Sequence, residues 1–347
     1  MTTLSVEEMR QTTARPTMRH VADKAGVSLK TVSRVINEEP GVARDTADRV
    51  NAAIALLGFR RNDLARSLRR GTTSATLGLV IEDVANPFYS GIARAVADAA
   101  TERGFMLIIG SCEEDPERER ELILALLRRR VDALLLVPAG SDQRWLEREL
   151  RPATTPVVFL DRPPQGITAD TVLVDNAGGA RAAVEHLLAH GHRRIACVAD
   201  PAELFTAAER VAGYRAALDH VGIDEDPELL KLDACDADHA EQLVHELLDL
   251  TDPPTAIFTG NNRHTVGALR ALRGREHEIA LVGFDDFELA DLLAMPTTVI
   301  RHDAARIGAE AAALAFDRLD GSRKPPQRIV VETELVPRGS GEVPART

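Results

Sequence analysis

The sequence has little cysteine and no long apolar run. Its three cysteines (Cys112, Cys197, Cys235) are far apart and form no C-x-x-C pair, which argues against a disulfide framework or a zinc site of that type. No apolar stretch approaches the roughly 18–20 residues that a membrane helix needs. The first ten residues lack a basic start followed by an apolar core, so we expect no secretory signal and a cytoplasmic protein.

Motifs for cofactor chemistry are missing as well. No G-x-G-x-x-G follows the first predicted strand, and no G-x-x-x-x-G-K-[ST] occurs. No nucleophile–base pair or metal cluster stands out, so we expect no enzyme, no cofactor and no metal. His186 and His190 have the i, i+4 spacing of a metal-binding pair, but without a third ligand a solvated helix end is the favoured alternative.

Charge is distributed unevenly along the 347 residues, whose net charge is −12. Residues 15–72 hold 12 Lys and Arg against 6 Asp and Glu, whereas residues 73–347 hold 29 against 46. A chain of this length is expected to form two or three domains. A small basic domain followed by an acidic body indicates that only the first part meets a polyanion.

Residues 18–37 predict two short helices around a tight turn. Gly26 ends the first helix because it tolerates a positive φ, and Ser28 can cap the second. Apolar residues repeat at helical spacing on the facing sides: Val21, Ala22, Ala25, Val32, Val35 and Ile36. The second helix keeps a polar, basic face. That shape enters a DNA major groove, although an ordinary helical hairpin with a solvated face fits the spacing equally well.

The segments around this pair complete a predicted helix-turn-helix domain over residues 17–61. Residues 44–57 predict a third helix, and residues 1–16 a disordered arm. Residues 62–74 form a hinge and linker, in which 62–68 predict a helix too short to hold alone. We expect this short helix to form only when the protein binds DNA together with a second copy of the chain.

From residue 75 the pattern changes to apolar strands alternating with amphipathic helices. This alternation predicts parallel sheets covered on both faces. About a dozen strands are too many for one open sheet, so we predict an α/β body of two doubly wound lobes.

Six motifs, taken in this order, closely resemble the LacI/GalR family of bacterial transcription regulators. They are V-A-D-K-A-G-V-S-L-K-T-V-S-R-V-I-N (21–37), A-R-S-L (65–68), N-P-F-Y (86–89), H-L-L-A-H-G-H-R-R-I (186–195), E-R-V-A-G-Y (209–214) and V-G-F-D-D (282–286). The resemblance implies a helix-turn-helix headpiece, a hinge helix and a body of periplasmic-binding-protein type. Lobe one would span about 75–172 and 302–325, lobe two about 173–299 and 326–338, within a body of 75–340 followed by a tail, 341–347.

The resemblance also implies a homodimer on a near-palindromic double-stranded DNA operator. Leu29, Lys30 and Arg34 match positions that read base edges in the major groove. Positions that contact phosphate match Thr17, Ser28, Thr31, Ser33 and Asn37. For Thr17 and Ser28, helix capping is the structural alternative, and both roles are compatible.

In the hinge, Leu68 matches an intercalating leucine, preceded by Asn62, Ala65 and Arg66. Such a wedge enters most easily at a pyrimidine–purine step, so a central CG is expected. The alternative is that Leu68 only packs the hinge.

A small-molecule effector, with a sugar as the expected class, would lie between the lobes at the carboxyl ends of the strands. The matching positions are Phe88, Tyr89, Asp161, Arg210, Asn261 and Asp285. Carboxylates accept from hydroxyls, arginine bonds to paired oxygens, and an aromatic ring covers the apolar face of a sugar. Capping is the alternative for Asp161, Asn261 and Asp285.

Four residues depart from the family pattern: Arg61 replaces a proline, Ala43 a Ser or Thr cap, Asn262 an aspartate, and Cys235 an aromatic of some members. The predicted function is a transcriptional repressor controlled by an effector, whether inducer or corepressor. A solute-binding protein for uptake is the rival, which the basic headpiece disfavours.

Overall fold

The computed structural model describes residues 16–37, 39–59, 74–140, 142–150 and 155–345. The chain divides into two compact units, Met1–Ser74 and Ala75–Thr347. Within the described residues, no helix is long and apolar enough to cross a membrane. Residues 1–15 of the predicted arm and residues 62–73 of the predicted hinge and linker lie outside the described residues.

Within the described residues, the first unit contains three helices: α1 (Met18–Ala25), α2 (Leu29–Ile36) and α3 (Arg44–Leu57). Gly26 follows α1 with a φ of +66°, so the chain turns there as predicted. The predicted apolar faces meet in one core, with Val21, Val32 and Val50 fully buried at its centre. These helices confirm the predicted helix-turn-helix and third helix.

The second unit contains two six-stranded sheets. The first consists of β1 (Thr76–Ile81), β2 (Met106–Ser111), β3 (Ala133–Leu136), β4 (Val157–Leu160), β5 (Asp170–Val174) and β11 (Arg328–Val331), in the order β11-β5-β4-β3-β1-β2. The second consists of β6 (Ile195–Val198), β7 (Leu230–Lys231), β8 (Ala256–Thr259), β9 (Ala280–Phe284), β10 (Thr298–His302) and β12 (Thr333–Val336), in the order β12-β10-β9-β8-β6-β7. All pairings are parallel except β10 with β12, so the predicted pair of doubly wound lobes is confirmed.

Eight α-helices in the described part of this unit cover the two sheets. Lobe one carries α4 (Pro87–Glu102), α5 (Pro116–Arg128), α6 (Arg144–Leu150) and α11 (Ala304–Leu319), whereas lobe two carries α7 (Asn176–Ala189), α8 (Phe205–His220), α9 (Ala237–Leu248) and α10 (Asn262–Ala271). In α8, an added Cβ at Gly213 would lie 2.2 Å from the Ala177 carbonyl oxygen. The glycine of the E-R-V-A-G-Y motif therefore lets α8 approach α7, which positions Arg210 one turn earlier.

The chain passes between the lobes at three points: Asp175, Asp303 and Glu332. Asp175 and Asp303 each cap the helix that follows, accepting from the backbone N–H of Gly178 and of Arg306 at 2.9 Å. Each lobe is thus assembled from separated segments of the chain.

Two boundaries differ from the sequence prediction. Residues 326–338 were all assigned to lobe two, but β11 pairs with β5 in lobe one and only β12 lies in lobe two. Residues 341–347 were assigned to a tail, but the described part packs on lobe two. There the Val343 carbonyl accepts from His192 Nε2 at 2.7 Å, and His186 Nε2 lies 2.6 Å from Glu342 Oε1.

Candidate functional site

The exposed face of α2 carries the three residues predicted to read bases. Leu29 is 47% exposed although it is apolar, and Lys30 and Arg34 are exposed beside it. The Arg34 Nε atom lies 3.7 Å from a Glu39 carboxylate oxygen. An apolar side chain flanked by two cations on a short helix is suited to base edges and thymine methyls in a major groove.

Two residues predicted to contact phosphate also cap helices. The Thr17 hydroxyl accepts from the His20 backbone N–H at 3.4 Å, and the Ser28 hydroxyl accepts from the Thr31 N–H at 3.1 Å. The capping alternative is therefore present in both cases, and both residues remain exposed. Of the other predicted phosphate contacts, Thr31, Ser33 and Asn37 are half-buried on α2 and at its end.

The predicted hinge residues Asn62, Ala65, Arg66 and Leu68 lie outside the described residues, as does Arg61. Ala43 is the N-cap of α3 and makes no side-chain hydrogen bond there, as its departure from a Ser or Thr cap predicts.

A cavity of about 300 Å³ lies between the two lobes of the body. It borders the carboxyl ends of strands from both sheets, the usual ligand position in such folds. The structure brings all six predicted effector residues together in its lining: Phe88, Tyr89, Asp161, Arg210, Asn261 and Asp285.

Asp161 follows β4 directly and has a φ of +63°, an uncommon conformation for a residue with a side chain. Its Oδ2 atom accepts from the Tyr89 hydroxyl at 3.2 Å, while its buried Oδ1 atom has no hydrogen-bond partner. Burial raises the pKa of Asp161, although the Arg162 and Arg210 charges oppose that rise. Asp161 therefore has one bonded and one unbonded carboxylate oxygen within the residues that the structure describes.

Arg210 is buried, and four groups surround its guanidinium. Its Nε donates to Asn176 Oδ1 at 2.8 Å and its Nη1 donates to the Gly260 carbonyl. The guanidinium carbon lies 3.9 Å from the centre of the Phe284 ring. Its Nη2 lies 3.8 Å from Asp285 Oδ1. This is a pre-positioned donor at the wall of the cavity.

Asp285 follows β9 and, like Asp161, has a positive φ, +68°. Its Oδ1 lies 2.7 Å from His302 Nε2. Burial alone would raise the pKa of Asp285, but Arg210 and the His302 hydrogen bond outweigh burial and hold the pKa below its usual value. The residue is therefore an ionised acceptor.

Phe88 and Asn261 complete the predicted set. The Phe88 ring packs with its centre 4.8 Å from those of Tyr89 and His302. Asn261 caps α10 by accepting from the His264 N–H at 2.9 Å, and its amide donates to Asp200 Oδ2 at 2.9 Å. The capping alternative for Asn261 is therefore present together with its place in the cavity.

Sequence reasoning missed several charged residues of the lining, among them Glu82, Glu114, Arg162, Asp200 and Arg263. Glu82 and Arg162 stand at the end of an apolar strand, a signal that could have drawn attention to them. Arg162 forms a bidentate ion pair with Glu114, in which Arg162 Nη1 lies 2.6 Å from Glu114 Oε2.

Two side chains of α10 bond across the cleft to lobe one. Arg263 donates to Asp83 Oδ2 at 2.5 Å and to Glu82 Oε1 at 3.3 Å. Asn262, where the family has an aspartate, donates to Asn86 Oδ1 at 3.1 Å, a bond that a carboxylate could not donate. These contacts link the lobes beside the cavity.

Burial, followed by the charge of Glu114, raises the pKa of Glu82 to about 7, against the opposing charges of Arg263 and Arg162. Cys235 also lines the cavity, with its Sγ atom 3.1 Å from His239 Nδ1. Within the described residues, no group of three His, Cys, Asp or Glu side chains could hold a metal ion. The lining offers hydrogen-bond donors, acceptors and an aromatic wall.

Comparison with known proteins gives two family matches. Residues 17–62 match the model described as bacterial regulatory proteins, lacI family, and residues 184–341 match a periplasmic binding protein-like domain. The HTH-type transcriptional regulator CelR of Thermobifida fusca is 37% identical over 339 residues, covering 94% of this chain and 98% of the relative.

Two solved structures are similar over nearly the whole chain. A CelR–cellobiose complex is 33% identical, with a TM-score of 0.70, covering 94% of this chain and all of that one. A lac repressor dimer bound to operator and the anti-inducer ONPF is 27% identical, with a TM-score of 0.81, covering 96% of this chain and all of that one.

Proposed function

The chain belongs to the LacI family of bacterial regulatory proteins, and on this premise we propose how its parts act together. It is a sequence-specific DNA-binding transcriptional repressor, controlled by a small-molecule effector of the sugar class. We propose that α2 reads the operator and that the cavity between the lobes binds the effector.

One observation carries the effector proposal. Six residues spread from position 88 to position 285 line a single cavity, and they supply two carboxylates, a guanidinium, an amide and two aromatic rings. Such a set can accept from and donate to the hydroxyls of a sugar and cover its apolar face.

On the DNA side, we propose that Leu29, Lys30 and Arg34 contact base edges and that Thr17, Ser28, Thr31, Ser33 and Asn37 contact phosphates. The net positive charge of residues 15–72 supports this assignment. We further propose a homodimer on a near-palindromic operator with a central CG step, into which Leu68 inserts. A DNA target supports a cytoplasmic location.

We propose that the lobes move about the three chain crossings at Asp175, Asp303 and Glu332, and that this movement couples the two sites. Effector binding would change the angle between the lobes about these crossings, and so the spacing of paired hinge segments. A difference of about 1.4 kcal/mol in effector affinity between two states suffices to change operator occupancy about tenfold. We propose that the chain acts through binding alone, without a catalytic step.

Selection from a random duplex pool at physiological salt tests the proposal. We expect a near-palindromic site to be enriched, and a sugar to change its occupancy. Recovery of no preferred duplex, with or without small molecules, would overturn the DNA part. An enriched operator that no compound releases or tightens would overturn the effector part alone.

A further inference from the structure

The cavity between the lobes has more negative than positive groups. Three guanidinium groups and no lysine line it, against the carboxylates of Glu82, Glu114, Asp161, Asp200, Glu203 and Asp285. A site built for an anionic ligand would be expected to show the opposite balance.

Each guanidinium of the lining already has a carboxylate partner. Arg162 is paired through both arms with Glu114. Arg263 lies 2.5 Å from Asp83 Oδ2 and 3.3 Å from Glu82 Oε1. Arg210 lies 3.8 Å from Asp285 Oδ1. Arg162 and Arg210 are also almost fully buried, so neither can turn toward a phosphate without giving up the hydrogen bonds that hold it.

Two neighbouring lining residues each have a buried polar atom that makes no hydrogen bond within the described residues: Asp161 Oδ1 and Arg162 Nε. The Arg162 Nε atom lies 3.8 Å from the other Asp161 oxygen, Oδ2. Of the two unbonded atoms, one accepts and the other donates. A hydroxyl group can satisfy both kinds, whereas phosphate and carboxylate oxygens only accept.

From this arrangement we infer that the effector is an uncharged polyhydroxyl molecule, and that the site rejects phosphorylated and carboxylated forms of the same sugar. The inference rests on the proposed function of the cavity as the effector site. A ligand phosphate would add negative charge to a partly buried site in which carboxylates already outnumber guanidinium groups, and like charges repel far more strongly there than in water. The raised pKa values of Glu82 and Asp161 reflect the same crowding and burial of negative charge.

Cys235 provides a readout that is located at the cavity. It is the exposed cysteine of the three, whereas burial raises the pKa of Cys112 to about 11 and that of Cys197 to about 12, so both should react slowly. The rate of Cys235 alkylation by iodoacetamide is measured by mass spectrometry on the full-length protein. Probes are matched sets: ribose and ribose 5-phosphate; glucose, glucose 6-phosphate, glucuronate and glucosamine; and cellobiose. Operator release is measured in parallel.

We expect at least one uncharged sugar to protect Cys235 from alkylation. Its charged counterpart should need at least a tenfold higher concentration to give the same protection. Three outcomes overturn the inference: an anionic form that protects as well as its parent, protonated glucosamine as the best ligand of its set, or no protection by any uncharged sugar. An anionic sugar that protects Cys235 and releases the operator overturns this inference but leaves the proposed function standing.

A charge variant tests the cause of the selectivity. Glu114→Gln frees the Arg162 guanidinium, so the preference for glucose over glucose 6-phosphate should shrink by tenfold or more. Glu113→Gln is the matched control, because Glu113 pairs with Arg118 at 2.8 Å and does not line the cavity. An unchanged preference in a folded Glu114→Gln protein would contradict the role given to this pair, and the wild-type comparison decides the matter where the variant fails to fold.

Discussion

Individual side chains of the helical unit determine both what it can recognise and how firmly it is folded. Arg34 stands on the exposed face of α2, paired only loosely with Glu39 at 3.7 Å. Ala43 begins α3 without a side-chain bond. We propose that the first residue bears on DNA specificity and the second on stability, so their substitutions should separate the two properties.

Arg34→Ala should relax the sequence preference and weaken operator binding by roughly 1–3 kcal/mol, because the fork that can bond to guanine is lost. Selection from a random pool measures the preference. Arg49→Ala removes the same charge from an exposed position on α3, and should weaken all duplexes alike. An unchanged preference in Arg34→Ala would refute its placement at a base.

Ala43→Ser should stabilise α3 by about 1 kcal/mol, because the serine hydroxyl can accept a backbone N–H of the first turn. Ala43 has the extended backbone, φ −61° and ψ 143°, that a capping residue adopts. Hydrogen exchange of the first amides of α3 should slow by about fivefold. Ala52→Ser, in the exposed middle of the same helix, should give no such protection, and equal protection in both would exclude capping.

Glu82→Gln should stabilise the body at pH 8 and have little effect at pH 5. The folded pKa of Glu82, about 7, lies above its ordinary value of 4.5, so its contribution to stability falls as the pH rises between these values. The gain at pH 8 is on the order of 2 kcal/mol. Urea unfolding at both pH values measures it, with the exposed Glu102→Gln as control. A gain that is the same at both pH values would exclude titration of Glu82 as the cause.

At the scale of elements, the start of α10 acts as a connection between the lobes. Arg263→Ala removes two ion pairs across the cleft and should favour an open form by about 1 kcal/mol. Alkylation of Cys235 should then accelerate up to fivefold. Arg270→Ala on the same helix, whose partner Asp238 lies in lobe two, should leave the rate unchanged. An unchanged alkylation rate in Arg263→Ala would show that these ion pairs do not keep the cleft closed.

The strands show where sequence reasoning succeeded and where it failed. Apolar runs bounded by turn residues marked nearly every strand within one or two positions. A buried parallel strand is itself a short, continuous run of apolar residues, so its position can be read from neighbouring residues alone. The sequence predicts a single strand near residues 328–333, because the pattern continues through Glu332. Only pairing with β5 on one side and β10 on the other divides them between sheets, and those partners lie far away in sequence.

The site shows the same limit. The six predicted effector residues, which line one cavity, could be named because each belongs to a recognisable motif or follows a strand. Glu82 and Arg263 are 181 residues apart, and nothing local to either predicts that they meet. The pairing of Arg162 with Glu114, on which the charge of the cavity depends, was hidden for the same reason.

At the scale of the molecule, Asp285→Asn should abolish the effect of the effector on operator binding while sparing binding without effector. The amide keeps the shape of the carboxylate and tolerates the positive φ, but it loses the charge that faces Arg210 and His302. Titration of operator with and without effector measures the coupling. Asp286→Asn is the control, because Asp286 pairs with Arg338 away from the cavity. A normal response in Asp285→Asn would remove this residue from the site.

The three crossings between the lobes also have a consequence for synthesis on the ribosome. Each sheet receives an edge strand from the last twenty residues of the chain: β11 completes one, and β12 the other. Neither lobe can therefore close its sheet while the polypeptide is still emerging, although the helical unit is already free. A stop codon near position 325 would remove an edge strand from both lobes at once. During normal synthesis, the helical unit of the repressor would be complete before the body that controls it has folded.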